Sequence, residues 1–257
     1  MICQHDGAQG EKFLSYLIGI DDTDNLESRG TGYRARMLGL ALQETGLGRL
    51  RSVTRHQLLV HPDIRYTSHN SSACLAFDGR AGIGDIEAFC VSFLKRESAE
   101  GSDAGLCVLL QERVDPSVRL FGLRAKQEVL DQAEAYECAG RSGVLLSGLT
   151  GDGGGVIGAL AAVGLYLTGD DGRFLWLPGL RELLGTATAI DLRELARIEV
   201  VQSVDGASLP PETLVELGDW VRPVLRGGRS VLFVEPGGGD GDRWRVAARD
   251  FIKQRSE

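Results

Sequence analysis

The chain has little of what would place it quickly. Its five cysteines, Cys3, Cys74, Cys90, Cys107 and Cys138, are scattered, odd in number and without a C-x-x-C pair. That argues against a disulfide framework or a structural zinc site. Cys74, Cys90 and Cys107 lie in apolar runs, where a small buried thiol is expected. Lysine is scarce, only Lys12, Lys95, Lys126 and Lys253, so arginine carries most of the positive charge. There is no basic excess: 28 Lys and Arg stand against 36 Asp and Glu, for a net charge of −8. Bulk charge therefore does not imply a nucleic-acid partner, although a local basic face is compatible with one. No run approaches the roughly 18 apolar residues of a membrane helix. Residues 1–12 are polar and lack the apolar core of a signal peptide. The expectation is a soluble, cytoplasmic protein with no membrane partner. Internal repeats and low-complexity linkers are also missing.

Apolar residues (43%) and 35 glycines are abundant, enough for a sizeable core with many tight turns or backbone-lined sites. A length of 257 residues suits one large domain or two small ones. Residues 1–12 read as a loose leader. Residues 13–170 read as the site-bearing region, and 171–257 as the rest of that domain or a small second lobe. Strands are expected at 13–20, 50–60, 73–77, 104–110, 144–146, 174–177, 197–201 and 231–235. Helices are expected at 33–47 (apolar stripe Tyr33, Met37, Leu40, Ala41), at 83–95 and at 156–165. A further long amphipathic helix runs from Asp115-Pro116 to about Glu137, through Val118, Phe121, Ala125, Val129 and Ala133. Residues 237–242 read as a hairpin or loop. This alternation predicts an α/β fold, with mixed α+β as the other option, in two lobes around a cleft.

The chain is organised around Gly19-Ile20-Asp21-Asp22-Thr23-Asp24, where three carboxylates follow an apolar strand. Crowded carboxylates stay ionised together only if a cation neutralises them. An all-oxygen set suits Mg²⁺, which usually takes one or two carboxylates plus nucleotide phosphates. If the strand geometry continues, Asp21 and Asp22 point to opposite sides. Thr31 stands just before the first helix, as its N-cap, as a hydroxyl beside the metal, or as both. Arg55, together with Arg65, His69 and Asn70 of the polar loop at 61–72, reads either as a donor to an anion or as part of a solvated face. The spacing of His61 and His69 matches no standard metal pattern. Gly153-x-Gly155-x-x-Gly158 satisfies the local dinucleotide pattern, yet the next strand ends in Pro178 and not in an acid. No Gly-Lys-Ser/Thr follows, which excludes a Walker A loop. The glycines let backbone amides approach an anion at a helix start, or serve a tight strand–helix turn.

Together these pieces resemble the kinase domain of archaeal tRNA(Ile) 2-agmatinylcytidine synthetase. Gly19 to Asp24 matches its G-I-D-D-T-D signature, and Gly151 to Gly164 matches its later glycine- and alanine-rich segment, in the same order and at similar spacing over residues 14 to 170. The resemblance implies ATP and Mg²⁺ as cofactors, with Asp21, Asp22 and Asp24 at the metal-bound triphosphate and Thr31 accepting phosphate. The catalytic set is Asp21, Asp22 and Thr31. Thr23, Gly30, Asn70, Gly151, Gly153, Gly155 and Gly158 are the candidate nucleotide contacts. Gly154 replaces the family's Arg, and Thr67 to Ser71 replaces a more cationic segment. The zinc-ribbon cysteines and recognisable RNA-binding additions of that family are missing, so a tRNA substrate is not implied. The expected function is that of a kinase-like, Mg-ATP-binding phosphotransferase with an unidentified acceptor and unknown oligomeric state. The alternatives are a non-catalytic nucleotide or phosphometabolite sensor and, ranked below it, an NAD-dependent oxidoreductase.

Overall fold

The computed structural model describes residues 13–67, 69–237 and 243–257; the leader at 1–12 and most of the glycine loop at 237–242 lie outside the described residues. The chain begins β1 (Leu14–Asp21), α1 (Thr31–Glu44), β2 (Gly48–Gln57), β3 (Ser71–Gly79), α2 (Ile83–Glu97) and β4 (Gly105–Leu110). Helices α3 (Pro116–Arg124) and α4 (Gln132–Ser142) then precede β5 (Leu145–Gly148), α5 (Val156–Thr168) and β6 (Arg173–Trp176). The last third holds β7 (Thr186–Thr188), α6 (Ala189–Ala196), β8 (Val200–Ser203), β9 (Leu214–Glu216), β10 (Val224–Arg226), β11 (Arg229–Pro236), β12 (Trp244–Val246) and α7 (Arg249–Ser256).

These strands form one mixed sheet in the order β5-β4-β1-β3-β2-β6-β10-β11-β12-β9-β7, with β8 added on β11. The first six elements make a split βαβ arrangement, strand order β4-β1-β3-β2. Because β3 inserts between β1 and β2, each neighbouring pair is antiparallel. Among the described strands only β8–β11 and β9–β12 pair in parallel. Of the two expected classes, the mixed α+β form is the one adopted. β6 pairs with both β2 and β10, so the sheet crosses residue 170 without a break.

The period-two pattern of β1 divides the core. Tyr16, Ile18 and Ile20 join Ala35, Leu38 and Leu42 of α1 and Ile86, Cys90 and Leu94 of α2 on one face. Leu17 joins Cys74, Cys107 and Ala159 on the other. Helix α5 is apolar all round and is buried between this second face and α3 and α4, as such a helix must be. Gly19 permits the contact: a Cβ there would stand 2.0 Å from the Ala159 carbonyl oxygen. A buried polar chain spans the junction between the halves. Thr54 Oγ1 and His56 Nε2 share a 2.8 Å hydrogen bond, and His56 Nδ1 lies 2.9 Å from Asp171 Oδ1. Lys126 Nζ pairs with the other Asp171 oxygen.

Two helical expectations are corrected. The buried positions of α1 are Thr31, Ala35, Leu38, Gly39 and Leu42, while Met37 is exposed and lines an outer groove with Tyr33, Leu40 and Ala41. Thr31 begins the helix earlier than its apolar pattern does. The long helix expected after Asp115 is two helices. Asp131 starts α4 with a reciprocal capping box, accepting from Glu134 N at 2.8 Å while Glu134 accepts from Asp131 N at 3.1 Å. Val129 and Leu130, in the break, are thereby free to face a cleft.

Candidate functional site

β1 ends at Asp21, and its extended course ends with it: Asp22 has a φ of 49°, rare for a side chain other than glycine. The reversal overturns the expectation that the two carboxylates diverge, because Asp21, Asp22 and Asp24 all line one cleft of about 240 Å³. Asp103 and Asp152 join them from the loops before β4 and before α5. Burial holds Asp21 well above the ordinary carboxylate range, with Asp22 and Asp24 pushing the same way against a hydrogen bond from the Asp22 backbone. Burial, then Asp103, Asp24 and Asp152, raise Asp22 to about 6, with Arg65 opposing them. This charge pattern would be relieved by a bound cation.

Thr31 is the first residue of α1, and Gly30, not Thr31, occupies the cap position, without a side-chain cap. The Thr31 hydroxyl donates to Asp24 Oδ1 at 2.7 Å, and the Thr31 backbone N donates to the same oxygen at 3.2 Å. Thr23, fully buried, donates to Thr31 Oγ1 from both its hydroxyl (3.0 Å) and its backbone N (3.2 Å). Thr23 is thus a support for Thr31 and not part of the cleft wall. A second pocket of about 180 Å³ shares Asp24, Thr31, His69 and Ser71 with the first and adds Gly30, Gly32, Arg55 and Ser72. Thr31 stands between the two. Arg55 is held there by Ser71 Oγ and Gln57 Oε1, each at 3.0 Å.

The glycine segment contributes mainly by close packing. The amides of Gly153, Gly154 and Gly155 are already engaged by Thr150 O, Asp152 Oδ1 and Asp103 O, which corrects the expectation of a free amide cradle. Gly155 and Gly158 line the cleft, whereas Gly151 and Gly153 do not. A Cβ on Gly158 would stand 1.7 Å from Asp21 Oδ2, so this glycine gives the carboxylate its place against α5. The run opens α5 between β5 and β6, which are not sheet neighbours, so it sits in no βαβ unit. Asn70 lines the cleft, with its amide donating to Leu59 O.

Two charged participants, Asp103 and Asp152, are not singled out as site residues by the sequence pattern, whereas Arg65 is, as a donor to an anion. Asp103 and Asp152 are joined through the Asp152 backbone N, which donates to Asp103 Oδ1 at 2.8 Å. Arg65 Nη2 donates to Asp152 Oδ2 at 2.7 Å across the cleft mouth. Asp152 lay inside the glycine motif and was readable there; Asp103 had no local signal. Leu58, Val129, Leu130 and Ile157 supply the apolar part of the cleft lining, drawn from three separate segments. Among the described residues no set of three or more His, Cys, Asp or Glu is placed as a ready metal cage, and no helix is long and apolar enough to cross a membrane. Cys74, Cys90, Cys107 and Cys138 are buried free thiols.

No protein-family model matches the chain. An uncharacterised protein of Methanocaldococcus jannaschii is 33% identical over 156 residues, 60% of this chain and 51% of that protein. The tRNA(Ile2) 2-agmatinylcytidine synthetase TiaS of Methanocorpusculum labreanum is 30% identical over 161 residues, 61% of this chain and 37% of the synthetase. The crystal structure of a TiaS–tRNA(Ile2)–ATP complex superposes with a TM-score of 0.52 at 25% identity, covering 59% of this chain and 36% of that one. That of a tRNA fluorescent labelling enzyme gives 0.51 at 25% identity, with the same coverage. The chain therefore carries a region homologous to TiaS over about 60% of its length, and it spans about half or less of the curated relatives it matches.

Proposed function

We propose that the chain binds ATP with Mg²⁺ in the acidic cleft and transfers the terminal phosphoryl group, by way of Thr31, to an acceptor. The observation that carries this reading is the 2.7 Å hydrogen bond from the Thr31 hydroxyl to Asp24 at the rim of that cleft. The proton that Thr31 must lose to become a nucleophile already points at a carboxylate, which is the geometry a general base requires. In the transfer, a bond forms between Thr31 Oγ1 and the terminal phosphorus, the bond to the bridging oxygen breaks, ADP leaves, and Asp24 takes the proton. Asp24 is tied to Thr31, so Asp21 and Asp22 are the pair left to hold a cation. Two carboxylates with no closed cage fit Mg²⁺, which completes its shell with phosphate oxygens and water. When bound, the ion neutralises and clamps the phosphates. Arg65 supplies a positive charge at the mouth, and the Leu58, Val129, Leu130 and Ile157 wall suits a nucleoside base. The Arg55 pocket, on the other side of Thr31, gives an acceptor access to the phosphorylated side chain. Homology to TiaS, solved with ATP, supports nucleotide use.

Calorimetry with Mg-ATP, followed by mass mapping of phosphate after incubation, tests this. Binding with phosphorylation at Thr31, lost in Thr31→Val and kept in Thr31→Ser, is expected. Absence of Mg-ATP affinity would sink it. A non-catalytic nucleotide sensor is the second reading, favoured by Gly154 and by Arg65 being, among the described residues, the one arginine that lines the acidic cleft. Tight Mg-ATP binding without phosphate on Thr31 would select it. Among the described residues the glycine run lies in no βαβ unit, which leaves the oxidoreductase alternative without support.

A further inference from the structure

A polar cleft in the last third of the chain has no part in the nucleotide site. It measures about 400 Å³ and is lined by Arg193 of α6, by Arg226 and Arg229 of the β10–β11 hairpin, and by Glu199, Gln202 and Ser208. The hairpin turns through Gly227 and Gly228, both with positive φ (54° and 71°), the requirement of the tight turn that fits strand twist. This register sets Arg226 directly opposite Arg229. Like charges directly opposite across strands destabilise a sheet. The turn is fixed in place, because Gly227 N donates to Asp170 Oδ1 and Gly228 N to Gly169 O. Arg193 brings a third guanidinium from the facing helix. Among the described residues none of the three has a carboxylate within ion-pair distance; Arg226 donates only to the Arg255 carbonyl. Among the described residues the one carboxylate lining the cleft, Glu199, accepts from Ser230 N at 2.8 Å and is held on that side.

We propose that this cleft is a binding site for a small phosphorylated ligand, whose dianion sits between Arg193 and the Arg226–Arg229 pair. Planar guanidinium forks match phosphate oxygens two at a time. The volume is that of a small-molecule pocket, and its polar lining suits a hydrophilic ligand. In a chain of net charge −8, three arginines without an ion-pair partner line one cleft, and an anion bound there would neutralise them.

Titration with inorganic phosphate and pyrophosphate in EDTA, without magnesium and with wild-type protein, is the test. Removing magnesium keeps phosphate out of the acidic cleft. Saturable binding is expected, weakened about tenfold or more in Arg229→Gln and in Arg193→Gln, as loss of a charge-assisted contact implies, and unchanged in Asp22→Asn. Without ligand, Arg229→Gln should melt no lower than wild type, since it removes a repulsion, and phosphate should raise the Tm of wild type but not of the variant. Absence of saturable binding, or equal phosphate affinity in both arginine variants, would overturn the proposal. So would a melting temperature for ligand-free Arg229→Gln well below that of wild type. Asp22→Asn separates the two sites: it should weaken Mg-ATP binding about tenfold or more while leaving phosphate binding in EDTA intact.

Discussion

Replacing Asp22 by Asn should make the free protein more stable and weaken the nucleotide site. Burial and three neighbouring carboxylates raise Asp22 from its ordinary 3.8 to about 6. In a dry site that displacement corresponds to about 3 kcal/mol against the ionised form. The carboxylate keeps partial contact with water, so about 1–2 kcal/mol is the reasonable discounted figure. The sign follows from proton linkage. Between about pH 4 and 6 the folded chain holds a proton that the unfolded chain has released. The resulting stability is complete below the unfolded value and is lost as pH rises through 6. Asn carries no charge and tolerates the positive φ at this position. Asp22→Asn should therefore raise Tm at pH 7.5 by about 2–6 °C for a chain of this size. It should also flatten the dependence of Tm on pH between 4 and 7. In the same preparation, Mg-dependent ATP affinity should fall by about tenfold or more, the loss of one charged contact. Thermal melts across pH, beside calorimetry at pH 7.5, read both effects. A variant that melts below wild type at pH 7.5, or keeps the wild-type pH slope, would refute the electrostatic account of the cleft. Gain of stability with undiminished ATP affinity would refute the metal role alone.

The local order of the chain was largely readable, and its failures share a cause. Apolar runs and turn residues located the strands and helices of the first 110 residues closely, because each is bounded by a glycine or an acid. The α1 stripe was misplaced because Tyr33, Met37, Leu40 and Ala41 do lie on one side of the helix, but that side faces an outer groove. The core side is Thr31, Ala35, Leu38, Gly39 and Leu42, where small residues let α1 approach the sheet. The break between α3 and α4 was hidden because Ala125 and Val129 keep helical spacing. It is imposed by the Asp131–Glu134 capping box and by the pull of Lys126 toward Asp171, 45 residues away. Strand direction was not readable either. The alternation of strands and helices is the same for a parallel sheet and for a split βαβ sheet, and only pairing of β3 between β1 and β2 decides it.

The site divides along the same line. Asp21, Asp22, Asp24 and Thr31 were visible because they follow one another on a strand, a turn and a helix start. That local run could suggest a cation, but not the direction of Asp22, which depends on a single backbone reversal. The glycine segment matched a phosphate-binding pattern, yet its amides turn inward and its last glycine makes room for Asp21. A motif shared by anion cradles and close helix packing cannot distinguish them by spacing. Asp103, Leu58 and Leu130 reach the cleft only through tertiary folding, so no window of sequence contained them.

The remaining expectations probe separate joints of this structure. Arg65→Ala removes an ion pair whose arginine is 86% exposed. It should cost less than about 0.5 kcal/mol in a melt, yet weaken Mg-ATP several-fold by calorimetry; equal affinity would remove Arg65 from the site. Gly158→Ala places a methyl where Asp21 Oδ2 now lies, 1.7 Å from its Cβ. It should cost about 1–3 kcal/mol, as overpacking does, and abolish nucleotide binding; a variant with wild-type affinity would show that Asp21 is not needed where it stands. The buried chain Thr54–His56–Asp171–Lys126 is the most exacting case. Burial alone would raise Asp171, but the hydrogen bond and charge of His56, with Lys126, outweigh it and hold the carboxyl below its ordinary range. Its contribution to stability is therefore present above the unfolded pKa and lost as pH falls through the folded one. Asp171→Asn leaves Lys126 without its carboxylate in a partly buried position, and breaking such a pair costs about 3–5 kcal/mol. Chemical denaturation at pH 7 should show that loss, and the difference from wild type should shrink as pH falls below the ordinary carboxylate range and Asp171 itself takes up a proton. Since His56 lies on β2 and Asp171 precedes β6, the variant should also loosen the join between the two halves, read as faster amide exchange in β6 and β10 than in β1 and β4. A cost below 1 kcal/mol, or a uniform rise in exchange across all four strands, would mean that the polar chain is incidental and that apolar packing alone holds the halves together.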